Sequence, residues 1–209
     1  MKRQVIPGIQ EATLSEIERR IHLVEPYVKW IQIDVTDKTL TLNESFRNPK
    51  AFANLKTKIN LEVHLMTKNA AKKAQEWINA GFKRIIAHVE IDKPQEFINN
   101  VKGKAQVGLA LDGPTPIEVI LPYVSQIDTV LIMMYKAGPS GQKFQPEQLE
   151  KIRILHQRYP KLPIEVDGGT SIETIRETEK AGAVRFVATS AIYKSDNIKE
   201  AIGKLQGII

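Results

Sequence analysis

The chain has 209 residues, of which 42% are hydrophobic and 26% charged, the composition of an ordinary folded, water-soluble protein. It contains no cysteine, which excludes disulfides and thiolate metal ligands and agrees with a cytoplasmic location. The net charge is +6, but no block of like charges and no apolar run of about 18 residues occurs, so we expect neither a nucleic-acid partner nor a membrane partner.

Apolar, β-favouring runs alternate with helical patterns from one end of the chain to the other. Eight such runs predict strands, at residues 5–9, 30–35, 61–66, 84–89, 106–111, 129–134, 163–167 and 184–188. The segments between them favour helices, and three of these segments open with the spacing of a capping box, at residues 13–16, 115–118 and 170–173.

This alternation predicts a parallel sheet with right-handed crossovers. Eight units of similar length predict one (β/α)₈ TIM barrel domain over residues 1–209, near the short end of the usual size range. An open doubly wound sheet is the alternative. We favour the barrel because polar residues follow many of the strands, whereas an open sheet would group them at one switch point.

The most informative stretch is residues 164–169, Ile-Glu-Val-Asp-Gly-Gly. It predicts a buried strand that ends in a carboxylate, Asp167, and runs into a tight turn at Gly168 and Gly169. Glycines let backbone N–H groups approach an anion closely before a helix. Taken alone, the stretch is equally well interpreted as a turn without chemistry.

Other polar side chains are expected to point into the barrel with Asp167. Period-two alternation places Gln32 and Asp34 on the inner side of the second strand and His64 on the inner side of the third. Asp34, His64 and Asp167 then converge from three strands as a candidate site for a divalent metal. His64 alone is also interpretable as a hydrogen-bonded core histidine.

Two further polar pairs favour structural interpretations. Glu62 and Glu165 lie one layer deeper in the predicted barrel, as members of a buried polar network. His88 and Glu90 are interpreted as an internal pair that braces the barrel.

Turns that suit a phosphate follow the last three strands. Loops at this end of such barrels often hold a phosphate on helix N-termini. The candidate residues are Gly138, Ser140 and Gly141 after the sixth strand, Gly168 and Gly169 after the seventh, and Thr189 and Ser190 after the eighth.

Together these motifs resemble the ribulose-phosphate 3-epimerase family over nearly the whole chain. The matching stretches are residues 33–37, 63–66, 88–90, 141–144, 165–169 and 190–192. The resemblance implies a cytoplasmic enzyme of the pentose phosphate pathway that interconverts ribulose 5-phosphate and xylulose 5-phosphate, both phosphorylated ketoses. It is also compatible with a homo-oligomer.

The resemblance also implies roles for individual residues. Asp34 and Asp167 are implied to act as acid and base on opposite faces of the substrate's C3. A divalent metal (Zn, Mn, Mg or Fe) is implied to polarise the neighbouring carbonyl and stabilise the enediolate. Met66 and Met133 are implied to pack around the substrate.

The chain departs from the family pattern at five important positions. Gln32 stands where the family has a metal-ligating histidine, and an amide oxygen is the weaker ligand, so we expect the metal to be bound less tightly or not at all. Gly8 replaces a substrate-contacting serine, and Thr189 replaces the glycine of an Ala-Gly-Ser turn. Lys38 and Lys136 replace a glycine and an asparagine, which makes them candidates for positive charge near the substrate.

Three functions are left open by these departures. The first, which we favour, is an epimerase with a weaker or harder metal such as Mg²⁺ or Mn²⁺. The second is an enzyme of the same fold that acts on another sugar phosphate, with Lys38 or Lys136 at the enediolate. The third is a non-catalytic sugar-phosphate binder.

Overall fold

Eight parallel strands close into a barrel in the computed structural model of this protein, which describes residues 2–138 and 143–209. Each strand pairs with the next in chain order, and the last pairs with the first. The strands are Gln4–Ile9 (β1), Trp30–Thr36 (β2), Asn60–Met66 (β3), Arg84–His88 (β4), Gln106–Leu111 (β5), Thr129–Met133 (β6), Ile164–Asp167 (β7) and Arg185–Ala188 (β8). The predicted TIM barrel is confirmed, and the alternative of an open sheet is wrong.

Helices cover the outside of the barrel. They are Leu14–Val24 (α1), Pro49–Phe52 (α2), Ala70–Asn79 (α3), Pro94–Val101 (α4), Leu149–Arg158 (α5), Ile172–Ala181 (α6), Ser190–Tyr193 (α7) and Ile198–Gln206 (α8). Within the described ranges there are also three 3₁₀ segments, at Ile117–Val119, Leu121–Gln126 and Pro146–Gln148. None of the helices described is both long and apolar enough to cross a membrane.

The helix expected after β5 is wrong in type, because two short 3₁₀ segments stand there. Pro122 is the second residue of the Leu121–Gln126 segment, and it has no backbone N–H to bond to the carbonyl four residues earlier, which disfavours one continuous α-helix through both segments.

Two of the capping predictions differ in outcome. Thr13 caps α1 as expected, and its hydroxyl accepts a hydrogen bond from the Glu16 N–H. At α6 the prediction is wrong by one position, because Ser171 is the cap and exchanges hydrogen bonds with Thr174. Thr170 instead donates its hydroxyl to the Val187 carbonyl, which ties the turn after β7 to β8.

The inside of the barrel is divided between apolar and polar side chains. An apolar group fills the side lined by β4, β5 and β6, and it consists of Ile86, Ala110, Leu131, Met133 and Tyr135. Polar side chains from β2, β3 and β7 occupy the opposite side. The functional candidates therefore lie against an apolar wall.

Charged residues at the amino-terminal ends of the strands form one buried cluster. Arg84 lies between Glu62 and Glu165, with 3.4 Å to the Glu165 carboxylate and a closer contact to Glu62. Its guanidinium stacks on the Trp30 ring at 4.2 Å. Arg185 lies 3.9 Å from Glu165. The predicted buried polar network is confirmed, and we call Glu62, Arg84, Glu165 and Arg185 the amino-end cluster.

Candidate active site

A second polar cluster lies at the carboxyl-terminal ends of the strands and consists of Gln32, Asp34, His64 and Asp167. Asp34 and His64 are register partners on β2 and β3, whereas Asp167 comes from β7. His64 Nδ1 lies 3.1 Å from Asp34 Oδ1 and 3.6 Å from Asp167 Oδ2. The alternation of β-strand side chains thus brings the predicted residues together. We call this group the carboxyl-end cluster.

Gln32 joins the two carboxylates of this cluster. Its Nε2 donates to Asp34 Oδ1 at 2.9 Å and to Asp167 Oδ2 at 2.8 Å. Its Oε1 is buried and has no hydrogen-bond partner among the described residues. A buried amide oxygen without a partner is costly, so this oxygen is the unsatisfied group of the cluster.

The residues of this cluster fit a divalent cation. Asp34, His64 and Asp167 each offer a ligand atom, and these atoms lie within 4.8 Å of one another. Carboxylate and imidazole together suit zinc, manganese and iron, and two carboxylates also suit magnesium. Rotating the Gln32 amide by half a turn would replace its donor by the unsatisfied Oε1, so Gln32 is able to serve either arrangement.

The protonation of the cluster is shifted by burial and by its charges. Burial raises the pKa of Asp34 to about 6, and the negative charge of Asp167 adds to the rise while a hydrogen bond from His64 opposes it. Burial alone would lower the pKa of His64, but its hydrogen bonds and the charges of both aspartates raise it to about 10. A cation bound by His64 would displace this proton.

His64 is also held from its other side, by the pair His88 and Glu90. The Nε2 atoms of His64 and His88 lie 2.9 Å apart, and the two rings are stacked. His88 Nδ1 lies 3.2 Å from Glu90 Oε2, and Glu90 Oε1 accepts the Asp112 backbone N–H. The expected His88–Glu90 pair is present, and it extends to the candidate metal ligand, where an orienting partner is common.

Glu90 fixes the direction of this chain of hydrogen bonds. Burial works to raise the pKa of Glu90, but His88, Thr115 and the Asp112 backbone outweigh it and leave the pKa at about 2. For His88, by contrast, burial is the main cause that lowers the pKa, because it disfavours the charged imidazolium. An ionised carboxylate only accepts hydrogen bonds, so neutral His88 donates from Nδ1 and its Nε2 accepts from His64. His64 then presents Nδ1 to the aspartates.

The two glycines after β7 are required by packing as well as by backbone shape. Gly168 and Gly169 have φ angles of +117° and +62°, which glycine adopts without penalty. A Cβ on Gly168 would lie 2.5 Å from the Tyr135 ring, and one on Gly169 would lie 2.9 Å from Phe144 Cβ. Their phosphate-binding role stays a prediction.

The other phosphate candidates lie at the same end of the barrel or outside the described residues. Gly138 is half-buried after β6. Ser140 and Gly141 fall within 139–142, outside the described residues. Thr189 immediately precedes α7, and Ser190 is its first residue.

The predicted substrate residues occupy different environments. Met66 and Met133 are buried at the ends of β3 and β6. Lys38 extends into solvent and forms an ion pair with Glu44 at 2.9 Å, and Lys136 is exposed. The positive charge expected from these lysines stays a prediction.

Tyr135 is a site residue that sequence reasoning missed. Its ring lies on Gly168, directly after Asp167, in the apolar wall of the barrel. Burial raises the pKa of Tyr135, and the charges of Asp167 and Asp34 raise it further, so the phenol remains a neutral donor. The alternation from Met133 to Tyr135 would have placed it inside the barrel.

Comparison with known proteins agrees with this geometry. The model of the ribulose-phosphate 3 epimerase family matches residues 4–193. The ribulose-phosphate 3-epimerase of Schizosaccharomyces pombe is 32% identical over 217 aligned positions, which cover 100% of this chain and 95% of the relative. The cytoplasmic isoform of this enzyme in Oryza sativa subsp. japonica is 35% identical, over 92% of this chain and 86% of the relative.

Solved structures support the fold independently. The 3-hexulose-6-phosphate synthase of Salmonella typhimurium superposes with a TM-score of 0.76 at 16% identity, over 98% of this chain and 97% of that one. A likeness at this identity shows the barrel fold alone. The sequence match over nearly the whole chain goes further: this protein is a member of the ribulose-phosphate 3-epimerase family, whose named relatives are sugar-phosphate isomerases.

Proposed function

We propose that this protein interconverts ribulose 5-phosphate and xylulose 5-phosphate in the cytoplasm, by proton transfer at C3 between Asp34 and Asp167. The observation that supports this most directly is the pair of buried carboxylates from β2 and β7, whose ligand atoms lie within 4.8 Å of each other and of His64. Inversion at one carbon needs a base on one face and an acid on the other. Two carboxylates from different strands meet that need.

Proton transfer requires one ionised and one protonated carboxyl group at a time. A pKa of about 6 allows Asp34 to exchange its proton near neutral pH. When Asp34 accepts the C3 proton, Asp167 donates on the opposite face, and the reverse reaction exchanges the two roles. Gln32 donates to both carboxylates through one nitrogen, so it fixes their positions relative to each other.

Asp34, His64 and Asp167 would hold a divalent cation, and the Gln32 amide would supply a fourth ligand once it turned so that Oε1 takes the place of Nε2. Such a cation supplies Lewis-acid polarisation of the carbonyl next to C3. The surrounding residues prepare its ligands. His88 and Glu90 orient His64 so that Nδ1 faces the aspartates.

The phosphate of the substrate is proposed to bind at the turns after β6, β7 and β8. In support, the backbone N–H groups of Gly169 and Ser190 donate to no acceptor among the described residues. The positive φ angles of Gly168 and Gly169 allow successive backbone N–H groups to turn toward one anion. The sugar chain would then run from these turns toward Asp34, between Met66 and the wall that contains Met133 and Tyr135.

The test is direct conversion of the sugar. Purified protein is incubated with ribulose 5-phosphate after chelation, and again after addition of Mn²⁺, Zn²⁺ or Mg²⁺, and NMR follows xylulose 5-phosphate. We expect conversion that depends on an added cation. Absence of conversion with every cation, combined with turnover of another phosphorylated ketose, would assign the protein to a different sugar-phosphate substrate.

A further inference from the structure

The end of β1 and the turn after β8 fit together through one hydroxyl group. Pro7 and Ala188 are register partners, so Gly8 and Thr189 follow side by side. A Cβ on Gly8 would lie 2.7 Å from Thr189 Oγ1 and 2.9 Å from Val187 Cγ1. These are distances that real Cβ atoms do not show, so the Thr189 hydroxyl occupies space that a side chain at residue 8 would need.

Gly8 is not required by its backbone. It is absent from the described glycines with positive φ, so its main chain suits any residue. The reason for glycine at this position is therefore the neighbouring Thr189 and Val187 side chains. Glycine at residue 8 therefore leaves the room that the Thr189 hydroxyl needs in its observed position.

The same geometry limits how far this hydroxyl can lie from Asp34, at the reacting end of the site. The Cβ position at Gly8 lies 3.9 Å from Asp34 Oδ2 and 2.7 Å from Thr189 Oγ1. The distance from Thr189 Oγ1 to Asp34 Oδ2 is therefore no greater than the sum of these two distances. A single carbon and its oxygen can span that gap.

Thr189 Oγ1 also has capacity to bind a ligand. Thr189 is half-buried, and within residues 2–138 and 143–209 its hydroxyl has no hydrogen-bond partner. The nearby Thr170 shows the contrast, because its hydroxyl is engaged by the Val187 carbonyl at 2.5 Å. A hydroxyl that has no described partner and shares the neighbourhood of Gly8 with the Asp34 carboxylate is suited to a polyhydroxylated ligand.

We propose that Thr189 binds a sugar oxygen next to the carbon on which Asp34 acts, and that Gly8 keeps this hydroxyl in place. The inference rests on the proposed function, because it assumes a phosphorylated ketose in the site. It assigns Thr189 to the sugar end of the substrate. The sequence pattern predicts a different role for this residue, the binding of phosphate.

The first arm of the test separates these two roles with Thr189→Val, which removes the hydroxyl and keeps the shape. Calorimetry measures the Kd of ribulose 5-phosphate and of inorganic phosphate for both proteins. We expect roughly 3- to 10-fold weaker binding of the sugar phosphate, the effect of one neutral hydrogen bond, and unchanged binding of phosphate. Thr178→Val is the matched control, because its hydroxyl bonds only to carbonyls of its own helix, α6, and should change neither Kd.

The second arm tests the pairing of residues 8 and 189. Gly8→Ser is expected to lower the melting temperature in the presence of Thr189 more than in a Thr189→Ala background, since only the first retains the crowded hydroxyl. The contact with Val187 is the same in both backgrounds and cancels. Equal losses would show that the hydroxyl is not seated against Gly8 and would overturn the proposal.

The outcomes distinguish this inference from the proposed function. If both ligands bind Thr189→Val more weakly by the same factor, Thr189 is a phosphate ligand and the inference is wrong. If ribulose 5-phosphate binds wild type and variant equally, the inference alone fails. If wild type binds no ribulose 5-phosphate at all, the proposed function fails and the inference falls with it.

Discussion

The two charged clusters inside this barrel each contain two carboxyl groups, but they balance the negative charge in different ways. In the amino-end cluster, two glutamates are opposed by Arg84 and Arg185. In the carboxyl-end cluster, Asp34 and Asp167 are opposed by His64 and by the neutral amide of Gln32. The first set is balanced by permanent charges, whereas the second depends on a proton or a cation for its balance.

Access to solvent separates the clusters further. Asp34 and Asp167 are each 9% exposed, whereas Glu62 and Glu165 are completely buried. Burial raises the pKa of Glu165, and the charge of Glu62 raises it further, so a shifted carboxyl group occurs at both ends of the barrel. A shifted pKa alone therefore does not identify a reactive group. The combination of incomplete charge balance and access from the barrel mouth does.

The largest difference is expected when one carboxylate is neutralised in each cluster. Asp167→Asn removes one of the two proton-transfer groups, and we expect turnover to fall by about 10²- to 10⁴-fold. Glu165→Gln is the matched control on the same strand, two residues earlier, and should retain turnover to within a few-fold. Equal losses in the two variants, measured as kcat per folded molecule, would remove the distinction between the clusters.

Arg84→Met tests the structural role of the amino-end cluster. The variant leaves Glu62 and Glu165 buried without their shared partner, and breaking a buried ion pair costs about 3–5 kcal/mol. Urea unfolding should show this loss, while kcat of the folded fraction stays close to that of wild type. Unchanged stability together with lost turnover would place the arginine in the catalytic machinery instead.

Gln32→His changes the charge balance of the carboxyl-end cluster without removing either aspartate. Imidazole is a better zinc ligand than an amide, so we expect Zn²⁺ affinity to rise on the order of 10- to 100-fold. Calorimetric titration of the chelated protein measures this. Gln32→Leu, which removes the amide oxygen, should bind Zn²⁺ more weakly than wild type, and identical affinities in all three proteins would exclude residue 32 from the ligand set.

Glu90→Gln gives the smallest expected effect, and its sign depends on pH. The pKa of Glu90 in the folded protein is about 2, below its ordinary value of 4.5. Glu90 therefore stabilises the fold above about pH 4.5, and this contribution is lost as the pH falls toward 2. We expect wild type to exceed the variant by on the order of 1–2 kcal/mol at pH 6 and to approach it below pH 3, as measured by unfolding at each pH. A difference that does not vary with pH would contradict this account.

The sequence predicted which face of a strand each side chain lies on better than it predicted which side chains contact one another inside the barrel. Period-two alternation is a local property, and it correctly predicted that the side chains of Asp34, His64 and Asp167 point into the barrel interior. It did not predict that His88 reaches His64, because His64 pairs in register with Ile86 and the link depends on side-chain lengths across tilted strands. Likewise, the donation from Gln32 to both aspartates depends on a side-chain conformation that no pattern encodes.

The local rules failed where a single residue overrides them. Two 3₁₀ segments replace the predicted helix after β5, and Pro122, in the second of them, has no N–H for an α-helical hydrogen bond. Tyr135 was missed because an aromatic residue after a buried strand is usually core packing, and only the closed barrel brings its ring against Gly168 beside Asp167. Such features require the three-dimensional arrangement.

The most direct test of the account is the incorporation of solvent deuterium at C3 of ribulose 5-phosphate, followed by NMR. It compares wild type, Asp167→Asn and Glu165→Gln, each with and without Mn²⁺. We expect wild type and Glu165→Gln to exchange the C3 proton in a cation-dependent manner, and Asp167→Asn not to exchange it. Exchange that survives in Asp167→Asn, or that is lost in Glu165→Gln, would contradict the assignment of proton transfer to the carboxyl-end cluster.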